Sequence, residues 1–421
     1  MRHVVKLALA GLWLASGAHA QTVDPASDLG QFRTLRGDGM TALQQGDAAK
    51  ALEIFDKARA ILPDSPSIAL LQAQVYMQQK RTDDAKAVLT DYLKRGNVLD
   101  LAKSSDFTTL WDSALEDQLQ ANEAPFGAIR VAAALPDFVI AEALAYEPHN
   151  AQVVYVSGIR GGNILAEAPG GERQVIKFRP GVAAFGLGLH DGKLWASTAQ
   201  SRQTEGYDAS KPVTSKIVAI NPADGAVIST MTDAKVAREF GHLLAGKDDL
   251  YVIDNNHGEV LRLTGYGATL EVLVPEGYMD SPQGLAENED GSLLIVSDFT
   301  SGLYRVDLKA GSMTRLLAPA DGNLLGLSSI ARYGHDLIAI QNGFKPNRVL
   351  RIRMSADWTQ AESVETLLRS EKLLAQPSQG LVADDFFVFV AKSQWSHLDD
   401  QGNPRAETVE PALVGVIKLT P

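Results

Sequence analysis

Five polar side chains recur at one place in a repeated pattern, immediately before the first apolar strand of a repeat unit. They are Glu142, His242, Gln283, Ser328 and Gln379, and Leu187 takes the same place in the second unit. A carboxylate, an imidazole, two amides and a hydroxyl in one ring could hold a small molecule or a peptide through hydrogen bonds. Glu142 and His242 could also bind a metal ion or exchange protons with a substrate. Which of these happens depends on the elements that position them.

The repeat units consist of short apolar segments separated by Gly, Asn and Asp turns, and they cover 138–167, 183–221, 240–263, 281–308, 324–352 and 377–419. The fourth unit, SPQGLAENEDGSLLIVSDFTSGLYRVDL, shows the pattern most clearly. Three strands and a looser fourth, repeated every 40 to 55 residues or so, are typical of a β-propeller. An isolated strand at 127–136 is expected to complete the last unit. The sequence therefore predicts a six-bladed propeller over residues 125–421.

The first strands of all blades line the central channel of a propeller, so the six positions should meet at one end of it, the mouth. Loops between second and third strands emerge on the same face, and the longest are 199–215, 341–347 and 393–412. Trp395 begins the last loop and could stack on a ligand. The predicted ligand-binding residues are His242, Gln283, Ser328, Gln379 and Trp395. Glu142 is the candidate catalytic base or metal ligand, or a carboxylate that accepts backbone N–H groups.

Four other residues with chemically useful side chains have a structural interpretation. Asp254 and His257 fall at a strand end and turn, where Asp and Asn commonly bond their own backbone. Asp298 holds the equivalent place in its own blade. Trp195 lies within a strand and is expected in the core between blades. The chain has no H-E-x-x-H, P-loop, G-x-S-x-G or dinucleotide-binding motif, so those mechanisms lack a sequence basis.

The region before the propeller has a helical period. Gly39, Ala51, Phe55 and Ala58 are followed 34 residues later by Ala73, Ala85, Leu89 and Tyr92. This period and this alternation of small and large residues resemble two tetratricopeptide repeats. Residues 98–119 predict a third, irregular helical pair. Because two repeats are too few for stability, a capping helix or a docked neighbour is expected. The predicted fold class is α+β multidomain, with a helical module at 31–120 after a flexible linker at 21–30.

The first twenty residues have the parts of a secretory signal peptide. Arg2 and Lys6 precede an apolar run, and Ala18-His19-Ala20 offers a cleavage site after Ala20. The prediction is an exported protein, periplasmic or secreted, with no membrane span. The chain has no cysteine, which excludes disulfides and thiolate metal sites. Its net charge of −12 opposes nucleic acid as a partner.

The propeller units resemble the superfamily of the senescence marker protein, the gluconolactonases and the NHL and strictosidine synthase-like propellers. For the lactonase branch, the resemblance implies a divalent ion in the channel, held by a glutamate, asparagines and an aspartate. The glutamate corresponds to Glu142, the aspartate to Gln283, and the asparagines to His242 and Leu187. Calcium prefers six to eight oxygen ligands, and zinc normally needs a third protein ligand beside Glu142 and His242. The resemblance thus implies the fold more directly than the lactonase chemistry.

Three functions follow as hypotheses. The leading one is a non-catalytic binding protein that holds a small molecule or peptide at the mouth. The alternative is a metal-dependent lactone or ester hydrolase that uses Glu142 and His242 with calcium or zinc. The third is a scaffold that binds a protein partner through the helical module and the propeller rim.

Overall fold

The computed structural model describes residues 24–101, 104–135, 138–147, 153–168, 171–211, 215–399, 401–405 and 409–420. The predicted signal peptide lies outside these ranges. The first helix begins at Asp28, inside the segment that the sequence assigned to a linker. In the part of the chain described, no helix is long and apolar enough to cross a membrane.

Helices occupy residues 28–123, followed by an all-β propeller, as the sequence predicted. The helices are α1 Asp28–Gln44, α2 Ala48–Ile61, α3 Pro66–Gln78, α4 Thr82–Lys94 and α5 Ser113–Glu123, with a 3-10 turn at Ser105–Leu110. Gly39 allows α1 and α2 to pack closely, since a Cβ there would lie 2.4 Å from a ring carbon of Phe55. The expected third pair consists of the 3-10 turn and α5, which pack against α3 and α4.

The propeller has six blades of four antiparallel strands. The strands are β1 Arg130–Leu135, β2 Ala141–Glu147, β3 Val153–Gly158, β4 Asn163–Ala168, β5 Gly171–Lys177, β6 Val182–His190, β7 Lys193–Gln200, β8 Lys216–Ile220, β9 Val227–Met231, β10 Phe240–Ala245, β11 Leu250–Asp254, β12 Glu259–Leu263, β13 Leu270–Val274, β14 Pro282–Glu287, β15 Leu293–Asp298, β16 Gly302–Asp307, β17 Met313–Arg315, β18 Leu327–Tyr333, β19 Asp336–Gln341, β20 Arg348–Met354, β21 Ala361–Arg369, β22 Gly380–Ala383, β23 Phe386–Lys392 and β24 Ala412–Lys418. Blades 1 to 5 are formed by consecutive groups of four strands from β2 to β21.

The ring closes as predicted, because β1 pairs with β24 and completes the blade formed by β22, β23 and β24. Joining the two ends of the propeller in one sheet removes the free edges that an open ring would expose. The apolar core lies mostly between neighbouring blades. Leu187, for example, packs with Ala143 and Tyr155 of the preceding blade, and Trp195 packs with Phe240 of the next.

One part of the contact between the helical module and the propeller is the loop 319–324, which leads into β18 of blade 5. Arg33 and Arg315 form further contacts, with Asp280 and with Asp28 respectively. Buried Asp64 accepts the backbone N–H of Leu324 at 2.8 Å. Arg95 donates to the carbonyl oxygens of Pro319 and Gly322 at 3.3 and 2.6 Å. The docked neighbour that two repeats require is therefore the propeller itself, together with the capping helix α5.

The end of α4 is fitted to the propeller just as closely. Gly96 has a φ of 76°, and a Cβ there would lie 1.9 Å from Nη1 of Arg348. That guanidinium is buried and donates to the carbonyl oxygen of Arg95 at 3.3 Å. Burial lowers the pKa of Arg348 to about 10. Only glycine satisfies both the left-handed backbone and the contact.

Candidate functional site

β-Bulges occur at the candidate positions of the innermost strands. The register between the first and second strands shifts at the same place in blades 1 to 5. The extra residues in these irregularities include Glu142, Phe185, His242, Gln283 and Ser328, and Gln379 directly precedes β22. A bulge bends its strand and redirects a side chain. The innermost strands therefore carry the predicted ring, with one replacement.

The prediction for the second blade was wrong. Leu187 is buried in the core between blades 1 and 2, 5% exposed, and the bulged residue of β6 is Phe185. Side chains alternate between the two faces of a strand, and the extra residue of a bulge shifts this alternation. A bulge therefore changes which residues face the channel. A signal was present in the sequence, since Phe185-Gly186-Leu187 aligns with Gln-Gly-Leu at 283–285 and 379–381.

The structure joins four of the predicted residues in one hydrogen-bonded network. The indole Nε1 of Trp395 donates to Oε2 of Glu142 at 2.6 Å. The amide Nε2 of Gln379 lies 3.5 Å from Oε1 of Glu142 and 2.8 Å from the carbonyl oxygen of Phe185. The amide Oε1 of Gln379 lies 2.9 Å from Nδ1 of His242. Glu142 thus accepts from side chains rather than from the backbone N–H groups that the sequence suggested.

The carbonyl of Phe185 fixes the proton positions in this network. A carbonyl oxygen can only accept, so the NH2 group of Gln379 must face Phe185 and its oxygen must face His242. Nδ1 of His242 then carries the hydrogen, and Nε2 is left with a lone pair. Burial lowers the pKa of His242, which favours this neutral ring.

In the part of the chain described, the charge of the Glu142 carboxylate is balanced by hydrogen bonds alone. Burial raises its pKa, although hydrogen bonds from Trp395, Ser378 and Gln379 act in the opposite direction. Among the described residues it forms no ion pair. The mouth therefore presents hydrogen-bond acceptors, the Glu142 oxygens and Nε2 of His242, and their nearest donors are already engaged.

The raised pKa of Glu142 predicts how the isosteric variant Glu142→Gln responds to pH. Since the folded pKa lies above the ordinary 4.5, the stability of the wild type falls as pH rises from that value through the folded pKa. The variant lacks this loss. We expect its Tm to exceed that of the wild type at pH 8 by about 1–2 °C for each kcal/mol gained, and the difference to vanish at pH 4 and below.

Thermal melts between pH 4 and pH 8 test this expectation. Glu289→Gln, which neutralises an exposed acid in a turn of blade 4, is the matched control and should show no such trend. A Glu142→Gln protein that melts below the wild type at pH 8 would contradict the raised pKa.

The loop that carries Trp395 is fixed by a residue that the sequence did not single out. Gln394 is 1% exposed and has a φ of 77°. Its Oε1 accepts the backbone N–H groups of Val139 and Ile140 at 3.1 and 2.9 Å, and its Nε2 donates to the carbonyl of Glu410. These bonds attach the last long loop to the start of blade 1, beside Glu142. The left-handed backbone at a non-glycine position is visible only in the structure.

The two other predicted residues lie on the innermost strands but outside the network. Nε2 of Gln283 donates to the hydroxyl of Ser281 at 2.9 Å. The hydroxyl oxygen of Ser328 is buried and has no hydrogen-bond partner within the described residues.

The side chains at the mouth do not provide enough ligands for a metal ion. Oε2 of Glu142 and Nδ1 of His242 are both engaged, and the amide of Gln379 lies between them. In the part of the chain described, the three side chains close enough to share an ion are Asp254, His257 and Glu259. There, however, the guanidinium of Arg238 already contacts Asp254 and Glu259. At the mouth, the carboxylate of Glu142 and the imidazole of His242 are fewer ligands than calcium or zinc requires.

The turn interpretation of Asp254, His257 and Asp298 agrees with the structure. Asp254 accepts the backbone N–H groups of Glu239 and Asn256 at 2.9 and 3.0 Å, and His257 contacts its other oxygen at 2.8 Å. Both aspartates are fully buried at the ends of second strands. They organise the loops that lead into the innermost strands.

The fold and the site define a class of protein, a six-bladed propeller with a polar mouth and a docked helical module. Comparison with known families matches residues 42–98 to the tetratricopeptide repeat. No curated protein matches the chain in sequence. The assignment of the propeller to the senescence marker protein and gluconolactonase superfamily stays a prediction.

Several solved structures are similar to this chain at low sequence identity. The virginiamycin B lyase of Staphylococcus aureus has a TM-score of 0.45 and 14% identity, over 70% of this chain and 100% of the lyase. A nidogen/laminin complex gives a TM-score of 0.41 and 16% identity, over 54% of this chain and 80% of that one. The U3-55K protein gives 0.42 and 13%, over 66% and 80%.

Proposed function

We propose that the protein is an exported, non-catalytic binding protein whose propeller mouth holds a small molecule or a peptide. A propeller joined to a tetratricopeptide-like module is the architecture of an interaction scaffold, and such modules commonly bind proteins. Export rests on the predicted signal peptide. The helical module provides a second surface, which could bind a protein partner.

The observation that carries the proposal is the surplus of acceptors at the mouth. Trp395 and Gln379 hold Glu142 in place, and Gln379 directs the proton of His242 to Nδ1. A ligand that fits must donate hydrogen bonds to Glu142 and to Nε2 of His242. Because Glu142 has no cation partner among the described residues, a protonated amine is the ligand group that complements it best.

Thermal shift and calorimetric titration with ethanolamine, putrescine and the tripeptide Gly-Lys-Gly test the proposal. We expect at least one of them to raise the Tm of the wild type. At a hundredfold excess over Kd, the free energy of unfolding should rise by about 2.7 kcal/mol. Glu142→Gln and Gln379→Ala should each weaken binding at least tenfold. Ser396→Ala, an exposed change in the same loop, should bind as the wild type does.

The metal-dependent lactonase remains the alternative, and the same titration distinguishes it. Calcium, manganese and zinc are added to chelator-treated protein, with Glu142→Ala as the control. We expect no stoichiometric binding that depends on Glu142. Such binding, combined with no response to the three amines, would replace the binding proposal with the enzyme.

A further inference from the structure

A cavity lies away from the mouth, between blades 2 and 3. Its volume is about 300 Å³, and it is lined by His190, Asp191, Lys193, Trp195, Ile228, Ser229, Gly265 and Tyr266. His190 ends β6, five residues after the mouth residue Phe185, which separates the two sites by about 16 Å along the strand. Cavities of this size that combine aromatic walls with a few polar groups are typical of small-molecule sites.

The aromatic wall of this cavity is held rigidly. The rings of His190 and Tyr266 stack at 3.8 Å with 16° between their planes, and Trp195 lies 5.3 Å from Tyr266 at 50°. The hydroxyl of Tyr266 donates to the carbonyl oxygen of Gly246 at 2.6 Å. Tyr266 also has a φ of 53°, a backbone strain that is uncommon for a bulky residue and that concentrates at functional sites.

The wall contains a polar group without a partner. Trp195 is 4% exposed, and its buried Nε1 has no acceptor within the described residues. A buried donor left unpaired is costly in free energy. Neither core packing nor the mouth network accounts for this N–H group.

The rim of the cavity has groups of both charges and an apolar surface. Lys193 and Asp191 lie 3.8 Å apart, which leaves no net charge to select an ion. Ser229 adds a hydroxyl, and Ile228 is 53% exposed at the edge of β9. The occupant must therefore offer apolar surface to the wall, and both donors and acceptors to the rim.

We propose that this cavity, the interblade cleft, binds the ring of a neutral saccharide. The C–H face of a sugar ring packs on aromatic side chains, and its hydroxyl groups both donate and accept hydrogen bonds. A hydroxyl oxygen can accept from Lys193, while another hydroxyl donates to Asp191. This site is independent of the mouth and of the function proposed for it.

Saturation-transfer NMR on the full chain tests the proposal with glucose, galactose, mannose and N-acetylglucosamine as probes. We expect transfer to the ring protons of at least one sugar. Ser229→Arg, which fills the interblade cleft from an exposed strand position, should weaken that binding at least tenfold. Thr230→Arg places the same side chain one residue along β9, outside the lining, and should leave binding unchanged.

Three results would overturn the interblade cleft as a saccharide site. They are no transfer to any of the four sugars, equal transfer in Ser229→Arg, and transfer that disappears in Gln379→Ala but persists in Ser229→Arg. If Ser229→Arg does not keep the Tm of the wild type, Ile228→Arg fills the same cleft from a half-exposed position and replaces it.

Discussion

Replacing Asp298 by alanine should destabilise the propeller by at least about 3 kcal/mol. The carboxylate is fully buried and accepts six hydrogen bonds. One oxygen accepts the backbone N–H groups of Asp280 and Ser281 at 2.9 and 2.7 Å. The other accepts the N–H and hydroxyl groups of Thr300 and Ser301, at 2.6 to 3.1 Å. Alanine leaves most of these buried or half-buried donors without their acceptor, and each buried unpaired group costs about 1–3 kcal/mol. The hydroxyl of Ser301 keeps its contact with the hydroxyl of Tyr304 at 2.9 Å.

Two further variants make the Asp298 test specific. Asp298→Asn keeps the shape of the side chain but turns an NH2 group toward hydrogen-bond donors, so it should also destabilise the propeller. This variant separates the loss of acceptors from the loss of side-chain volume. Asp290→Ala removes an exposed turn aspartate of the same blade, whose main contact is the N–H of Ser292 at 2.9 Å, and should cost under about 1 kcal/mol. Urea unfolding measures all three. Equal losses for Asp298→Ala and Asp290→Ala would refute the role assigned to Asp298.

Replacing Asp64 by alanine should loosen the helical module from the propeller, at a cost of about 2 kcal/mol. Asp64 is 3% exposed and lies between α2 and α3. Its Oδ2 holds the N–H of Leu324, and the adjacent Asn323 donates to Oδ1 of Asn97 at 3.2 Å. This loop leads into the strand that carries Ser328, so loss of docking should reach the mouth.

The charge on Asp64 is not what the contact requires. Burial raises the pKa of Asp64, so its ionised form costs stability as pH rises from about 3.8 through the folded pKa. Asp64→Asn keeps an acceptor for Leu324 without that cost. It should be as stable as the wild type near pH 3 and at least as stable at pH 7.

Hydrogen exchange by mass spectrometry measures docking directly. Peptides that cover residues 319–327 should exchange faster in Asp64→Ala and at the wild-type rate in Asp64→Asn. Asp83→Ala, an exposed change in the first turn of α4, is the control and should leave that loop protected. Unchanged protection in Asp64→Ala would show that Arg95 and the ion pairs of Arg33 and Arg315 hold the module without Asp64.

Most of the fold could be predicted because its determinants are local. Strand and turn signals recur in each blade, and Asp290-Gly291 marks its turn without help from distant residues. The period of 34 residues likewise predicts the paired helices. Ring closure by β1 followed from counting strands. These patterns depend on alternation and turn chemistry, which a single segment contains in full.

The site could be predicted only in part. The alignment of blade starts brought Glu142, His242 and Gln379 together correctly, because every innermost strand faces one channel. It misassigned Leu187, since a bulge of one residue exchanges the channel face for the core face. The pairing of Trp395 with Glu142 joins residues 253 positions apart, and no local pattern encodes it.

The sequence by itself determined the two repeat systems, the number of blades and the positions near the mouth, because short-range periodicity sets these features. Only the tertiary structure decided the protonated nitrogen of His242, the anchoring of the last loop by Gln394, the docking of Asp64 on Leu324 and the interblade cleft around Trp195. Each of these depends on the distance between groups from separate elements. Such distances are fixed by packing across blades and between domains, and the order of residues along one strand does not contain them.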